Sequence, residues 1–184
     1  LVEEDSPMIW RGPMVMSALE QLMRDVNWGE LDILVVDMPP GTGDAQLTMA
    51  QRVPLTGAVI VSTPQDIALL DARKGLNMFR KTEVPVLGII ENMSYFSCPH
   101  CGERTEIFSH GGAKKTAAQL GADFLGEIPL DMAIREKADA GDPIVASVPD
   151  GDHAKAYKAI AAKIWEKVET LTEDAGPGLK IVVD

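Results

Sequence analysis

The chain is expected to fold as an α/β domain built on a parallel sheet. Two observations predict this. Short apolar runs rich in Val, Ile and Leu alternate with longer stretches whose apolar residues recur at helical spacing. The short runs are also continuous rather than alternating, as expected of strands covered on both faces.

Taken in order, residues 14–26 predict a helix with Met14, Ala18, Leu19, Leu22, Met23 and Val26 on one face. "LDILVVDMPPG" predicts a strand over residues 33–36, with Asp37 at its carboxyl end. "GAVIVSTP" from Gly57 predicts a second strand. "IALLDARKGLNMF" predicts a helix with Leu69, Ala72, Leu76 and Phe79 in phase. "VPVLGIIEN" is a third buried strand, and "GGAKKTAAQLG" a helix closed by Gly121. "DFLGEIPL" is a shorter strand. "DHAKAYKAIAAKIWEKVETL" is a long helix with Tyr157, Ile160, Ile164, Trp165, Val168 and Leu171 inward. Residues 1–171 read as one domain and residues 172–184 as a linker and tail.

Composition narrows the function classes. The chain has 184 residues, 46% of them hydrophobic and 24% charged, within the range of soluble globular proteins. A net charge of −11 argues against sequence-independent binding to nucleic acid, which needs clustered Lys and Arg. It leaves room for a small anion held by backbone amides. Two cysteines are too few for a secreted disulfide scaffold. "LVEEDSPMIW" lacks the pattern of a signal peptide, and no apolar run is long enough to span a membrane, so a cytoplasmic protein without membrane partners is expected. The chain starts at Leu1, which suggests a piece of a longer protein.

Two stretches carry chemistry. In "VVDMPPGTGD", Asp37 at a strand's carboxyl end sits where open α/β sheets bind ligands, and a carboxylate there suits a water-bound Mg²⁺. Pro39, Pro40, Gly41, Thr42 and Gly43 form a turn whose glycines let bare amides approach a phosphate. Asp44 would cap the next helix or act on a water. The alternative is an ordinary strand-to-helix turn. No G-x-x-x-x-G-K-S/T loop occurs in the chain.

The second stretch is "YFSCPHCGERTEIFSH", which holds both cysteines, Cys98 and Cys101. One reading is a redox dithiol, but such pairs usually open a helix, and "GERTEIFSHGG" reads as a short hairpin or loop. A second is half of a zinc knuckle, with His100 and His110 nearby as candidates to complete it and His110 the one placed to return. A third places two chains about a twofold axis. Two copies of Cys98 and Cys101 then supply four thiolates, enough for one 4Fe–4S cluster or one Zn²⁺.

"MIWRGPM", "DILVVDMPPGTGD", "STPQDIALLDARKG", "GIIENMSYFSCPHCG", "FSHGG" and "GEIPLDMAIREKADAGDPIV" together resemble the Mrp (ApbC-like) iron–sulfur cluster carrier family, in the MinD/ParA-like branch of P-loop NTPases. The resemblance implies a three-layer, parallel-sheet P-loop NTPase-like domain, here incomplete at the N-terminus. It implies that Asp37 is the Walker B-type Asp and that residues 39–44 sense the γ-phosphate of ATP beside Mg²⁺. It implies that Asn92 reads the adenine edge, that Pro129 flanks the base, and that Cys98 and Cys101 ligate a 4Fe–4S cluster bridging a homodimer. Recipients would be apo iron–sulfur proteins, and zinc would replace the cluster in aerobic preparations. The family hydrolyses ATP, but its Walker A loop lies upstream of everything in this chain, so the chain alone is expected to be inactive. The competing expectations are a MinD/ParA-like positioning ATPase with a structural zinc at the cysteines, and a dithiol oxidoreductase.

Overall fold

The computed structural model describes residues 12–38 and 43–174. The chain divides into two compact units, with the boundary along the sequence between Pro54 and Leu55.

The first unit contributes α1 (Gly12–Arg24) and α2 (Asp44–Arg52), which pack against each other. Arg52 pairs with Glu20 across them. Gln46, Met49 and Ala50 are buried on α2. The helix expected from residue 14 is present, but the expected apolar face is open, with Met14 and Leu22 about half exposed. Helical spacing identifies a helix but not what covers it.

The strand expected over residues 33–36 does not form. Residues 33–38 have no regular secondary structure, and Ile33, Leu34 and Val35 are exposed, Val35 to 86%. A parallel strand exists only through hydrogen bonds to a neighbour, and no described strand pairs with this segment. An apolar run is therefore a necessary but insufficient signal.

The second unit holds β1 (Ala58–Ser62), α3 (Asp66–Lys81), β2 (Val86–Glu91), β3 (Phe96–Ser97), β4 (Arg104–Thr105), α4 (Gly112–Leu120), β5 (Phe124–Glu127), α5 (Met132–Asp139), α6 (Ile144–Ser147) and α7 (Asp152–Asp174). Three strands form a parallel sheet in the order β1-β2-β5, with Ile60 opposite Ile89 and Glu91 opposite Glu127. The expected strands after Gly57, before Asn92 and after Asp123 are all present.

Helices cover both faces of the sheet. On one face α3 and α4 pack on the strands and on each other. Leu69, Ala72, Leu76 and Phe79 are buried on α3, the four positions that spacing alone placed inward. Gly112 sets the closeness of α4, since a Cβ there would meet the Pro64 carbonyl at 2.6 Å and Leu69 Cδ1 at 2.7 Å. Gly121, at φ 59°, ends α4 in the left-handed conformation, as expected. On the other face α7 packs on β5 and β2. Leu125, Ile128 and Ile160 form a core there, with Val59, Ile90, Tyr157 and Ile164 around them.

Trp165 departs from expectation and is 42% exposed. It lies five residues beyond Ile160, well off the stripe that a period of 3.6 residues carries inward. Two helices, α5 and α6, were not expected. Asp131 starts α5 by accepting a hydrogen bond from the Ala133 amide at 2.8 Å. It also lies 3.3 Å from His153 Nε2 on α7. Among the described residues, no helix is long and apolar enough to cross a membrane.

Candidate functional site

Because the strands are parallel, their carboxyl ends share one edge. Ser62, Glu91 and Glu127 end β1, β2 and β5 there. The Asn92 amide donates to the Ser62 carbonyl at 2.8 Å, and the Ile128 amide to the Glu91 carbonyl at 2.8 Å. Asn92 and Pro129 thus lie at this edge. Asn92 Oδ1 accepts from the Met93 amide at 2.9 Å, and Met93 sits at φ 52°. Asn92 therefore shapes a turn. Pro129 is buried.

The cysteines leave the body from the same edge. The Leu130 amide donates to the Tyr95 carbonyl at 2.7 Å, and Phe96 bridges Leu130. The chain then runs out as β3, turns through residues 98–102, and returns as β4, with Phe96 opposite Thr105 and Ser97 opposite Arg104. The expected short hairpin is therefore present, and no helix opens at the cysteine pair. In the turn, the Cys98 amide donates to the Glu103 carbonyl at 2.9 Å, and the Gly102 amide to the Cys98 carbonyl at 2.8 Å. Gly102, at φ 73°, takes a conformation that most side chains disfavour.

Both thiols are free, Cys98 half-buried and Cys101 exposed. The backbone amide of Cys101, then that of His100, then the Cys101 thiol, bond to the Cys98 sulfur and hold its pKa below the ordinary thiol value. Hydrogen bonds to an anion favour the anion. The turn thus favours a thiolate without using a helix terminus.

His110 does not return to the cysteines. Its Nδ1 lies 3.3 Å from Ser94 Oγ, 3.0 Å from an Arg104 nitrogen, and 3.9 Å from both Glu91 and Glu127. His100 is exposed in the turn. Sequence reading missed the group around His110. Glu91 is fully buried and accepts from Ser94 Oγ at 2.5 Å, from the Gly111 amide at 3.1 Å and from the Ala113 amide at 2.7 Å. It thereby serves the open amides at the start of α4. The available signal was a charged residue directly after "LGII" in a run otherwise fit only for a core.

Asp37 belongs to the first unit and is exposed. Gly43 occupies the N-cap of α2, with Asp44 as the first helical residue. Pro39, Pro40, Gly41 and Thr42 lie outside the described residues, as does the tail from residue 175.

Comparison with known proteins agrees with this architecture. Residues 1–165 match the ParA family model described as NUBPL iron-transfer P-loop NTPase. The chain is 60% identical over 174 residues to the "Iron-sulfur cluster transfer protein NUBPL" of Dictyostelium discoideum, covering 95% of this chain and 54% of that protein. It is 49% identical over 176 residues to the "Iron-sulfur cluster carrier protein" of Pyrococcus horikoshii, covering 96% and 59%. The chain spans little more than half the length of these relatives. Among solved structures, an Archaeoglobus fulgidus nucleotide-binding protein in complex with ADP superposes with a TM-score of 0.65 at 41% identity, covering 76% of this chain and 56% of that one. The Pyrococcus furiosus cell division ATPase MinD superposes with a TM-score of 0.58 at 23% identity, covering 88% and 60%, and shares the fold. The chain belongs to the ParA-type P-loop NTPases, in the family described as NUBPL iron-transfer proteins.

Proposed function

We propose that this chain is the cluster-bearing part of a nucleotide-gated iron–sulfur carrier, with the cluster as cargo. The observation that carries the reading is the Cys98–Cys101 turn. Two thiols stand at the tip of a hairpin, backbone amides favour the thiolate at Cys98, and Cys101 faces solvent. One chain supplies two of the four thiolates that a 4Fe–4S cluster needs. A homodimer supplies the rest from the same patch twice. Cargo held at an exposed tip is open to ligand exchange with an apo iron–sulfur protein, and the names of the relatives support this direction of transfer.

Nucleotide enters the proposal at the carboxyl edge. Asn92 offers an amide, which matches the donor and acceptor of an adenine edge, and Pro129 follows Ile128, whose amide donates to the carbonyl of Glu91 just before Asn92. Asp37 would hold Mg²⁺ through water, residues 39–43 would contact the phosphates of ATP, and Asp44 would orient the attacking water. The ADP complex of the Archaeoglobus fulgidus relative supports nucleotide binding. Hydrolysis would need a Walker A loop, a pattern this sequence does not contain.

Anaerobic reconstitution with iron and sulfide tests the reading. About four irons and four sulfides per pair of chains are expected, with loss of both in Cys98→Ala. Zinc at about one per pair, with no cluster uptake, would overturn it in favour of a structural site.

A further inference from the structure

Glu91, His110 and Glu127 bring one ligand atom each within 4.8 Å of one another, which is a spacing that fits a divalent cation. A side chain already serves that place. Arg104 NH1 donates to Glu127 Oε1 at 3.2 Å, and its NH2 lies 3.0 Å from His110 Nδ1. The Glu91 oxygens are taken up by the Ser94 hydroxyl and two amides at the start of α4. The group is arranged around a guanidinium rather than a metal.

Arg104 comes from β4, the returning limb of the cysteine hairpin. Each limb pairs over only two residues, and both β4 residues are exposed, so the ladder by itself gives the hairpin little stiffness. The outgoing limb is tied to the body by main chain, through Tyr95, Phe96 and Leu130. The returning limb is tied by the Arg104 side chain. It reaches Glu127 at the end of β5 and His110 just before α4, while its guanidinium lies 3.7 Å over the Tyr95 ring. The end of β5, the residues before α4 and both limbs of the hairpin meet at one planar cation. A planar fork that bonds two acceptors and stacks at once is a geometry that Arg has and Lys lacks.

From this we propose that Arg104 is the positioning residue of the cysteine pair: it fixes the angle at which the hairpin carries Cys98 and Cys101 away from the sheet. The role rests on the reading of these cysteines as cluster ligands. A cluster shared between two chains requires both pairs to arrive at a set distance and angle. A hairpin free to swing would bind it more weakly, because the swing must be frozen on binding.

The test has two readouts on the whole, reduced chain, with Arg104→Ala and Arg104→Lys. The first is amide hydrogen exchange at Cys98 and Gly102, with Ile89 in β2 as a core reference. The second is Co²⁺ titration followed by thiolate-to-cobalt absorption. Arg104→Ala is expected to speed hairpin exchange roughly threefold to tenfold, the range of a half-exposed ion pair with a stacked face, and to leave Ile89 unchanged. Co²⁺ affinity should fall by a similar factor, with partial recovery in Arg104→Lys. Native exchange at Cys98 and Gly102 in Arg104→Ala would overturn the proposal, as would equal acceleration at Ile89, which would mark a general stabiliser. If the native chain shows no thiolate-to-cobalt absorption, the cluster-ligand reading of the cysteines fails, and the exchange data still decide the role of Arg104.

Discussion

Glu91, fully buried at the end of β2, accepts a hydrogen bond at 2.7 Å from the Ala113 amide in the first turn of α4. A carboxylate at a helix N-terminus meets both open amides and the positive end of the helix dipole. The same carboxylate takes the Ser94 hydroxyl, which also lies 3.1 Å from Glu127 Oε2. One side chain therefore joins the central strand, α4 and the base of the cysteine hairpin.

Glu91→Ala should cost about 2–4 kcal/mol, because it leaves the buried Ala113 amide without its acceptor and removes that of the Gly111 amide, while the Ser94 hydroxyl keeps Glu127. Glu91→Gln keeps the volume but turns a donor toward donors, so it should recover only part of the loss. Urea denaturation reads both, and equal stability of Glu91→Ala and the native chain would disprove the assignment.

Gly88→Ala should destabilise the sheet by about 2–3 kcal/mol. Gly88 sits at φ 152°, and a Cβ there would lie 2.7 Å from the Asp123 carbonyl, the acceptor of the Ile89 amide. Thermal denaturation measures the cost, and it should far exceed that of Gly29→Ala, where the Cβ meets open space and only the backbone conformation resists.

Cys98 should ionise more readily than a free cysteine in the metal-free chain. The amides of Cys101 and His100 lower the Cys98 pKa, so more of Cys98 is thiolate at neutral pH. In Cys101→Ser, which keeps both amides, the rate of Cys98 alkylation should rise with pH along a curve centred below that of a free cysteine. A curve centred at or above the free value would remove the turn's claim to favour a thiolate.

Tyr157 supplies an alkaline test. Burial on α7 raises its pKa above the ordinary value, so folding favours the neutral phenol. The folded-state pKa lies above the unfolded one, so this contribution is whole below about pH 10 and is lost as pH rises through the folded-state value. Tyr157→Phe should therefore lose less stability than the native chain between neutral and strongly alkaline pH. Parallel losses in the two proteins would contradict the burial argument.

Much was legible in the sequence where local pattern and final environment agree. The spacing of Leu69, Ala72, Leu76 and Phe79 set both the existence of α3 and its buried face. Gly121 announced the end of α4, and the Gly-rich, β-branched stretch after Cys101 announced a hairpin. The C-x-x-C spacing of the two cysteines, the only ones in the chain, put both on one tight turn. Residues 33–36 show where pattern fails. Their apolarity states that they can be buried, but pairing needs a second strand, and that lies outside any local window.

The sequence by itself determined the class of fold, the order of the parallel strands and of α3, α4 and α7 after Gly57, and the presence of a thiol pair on a tight turn, because each follows from residues close along the chain. Tertiary structure decided what surrounds them. Glu91, Arg104, His110 and Glu127 meet only because parallel strands bring their carboxyl ends to one edge and the hairpin folds back over it. Contacts between residues distant in sequence depend on the closure of the whole sheet, and no spacing of neighbours encodes them.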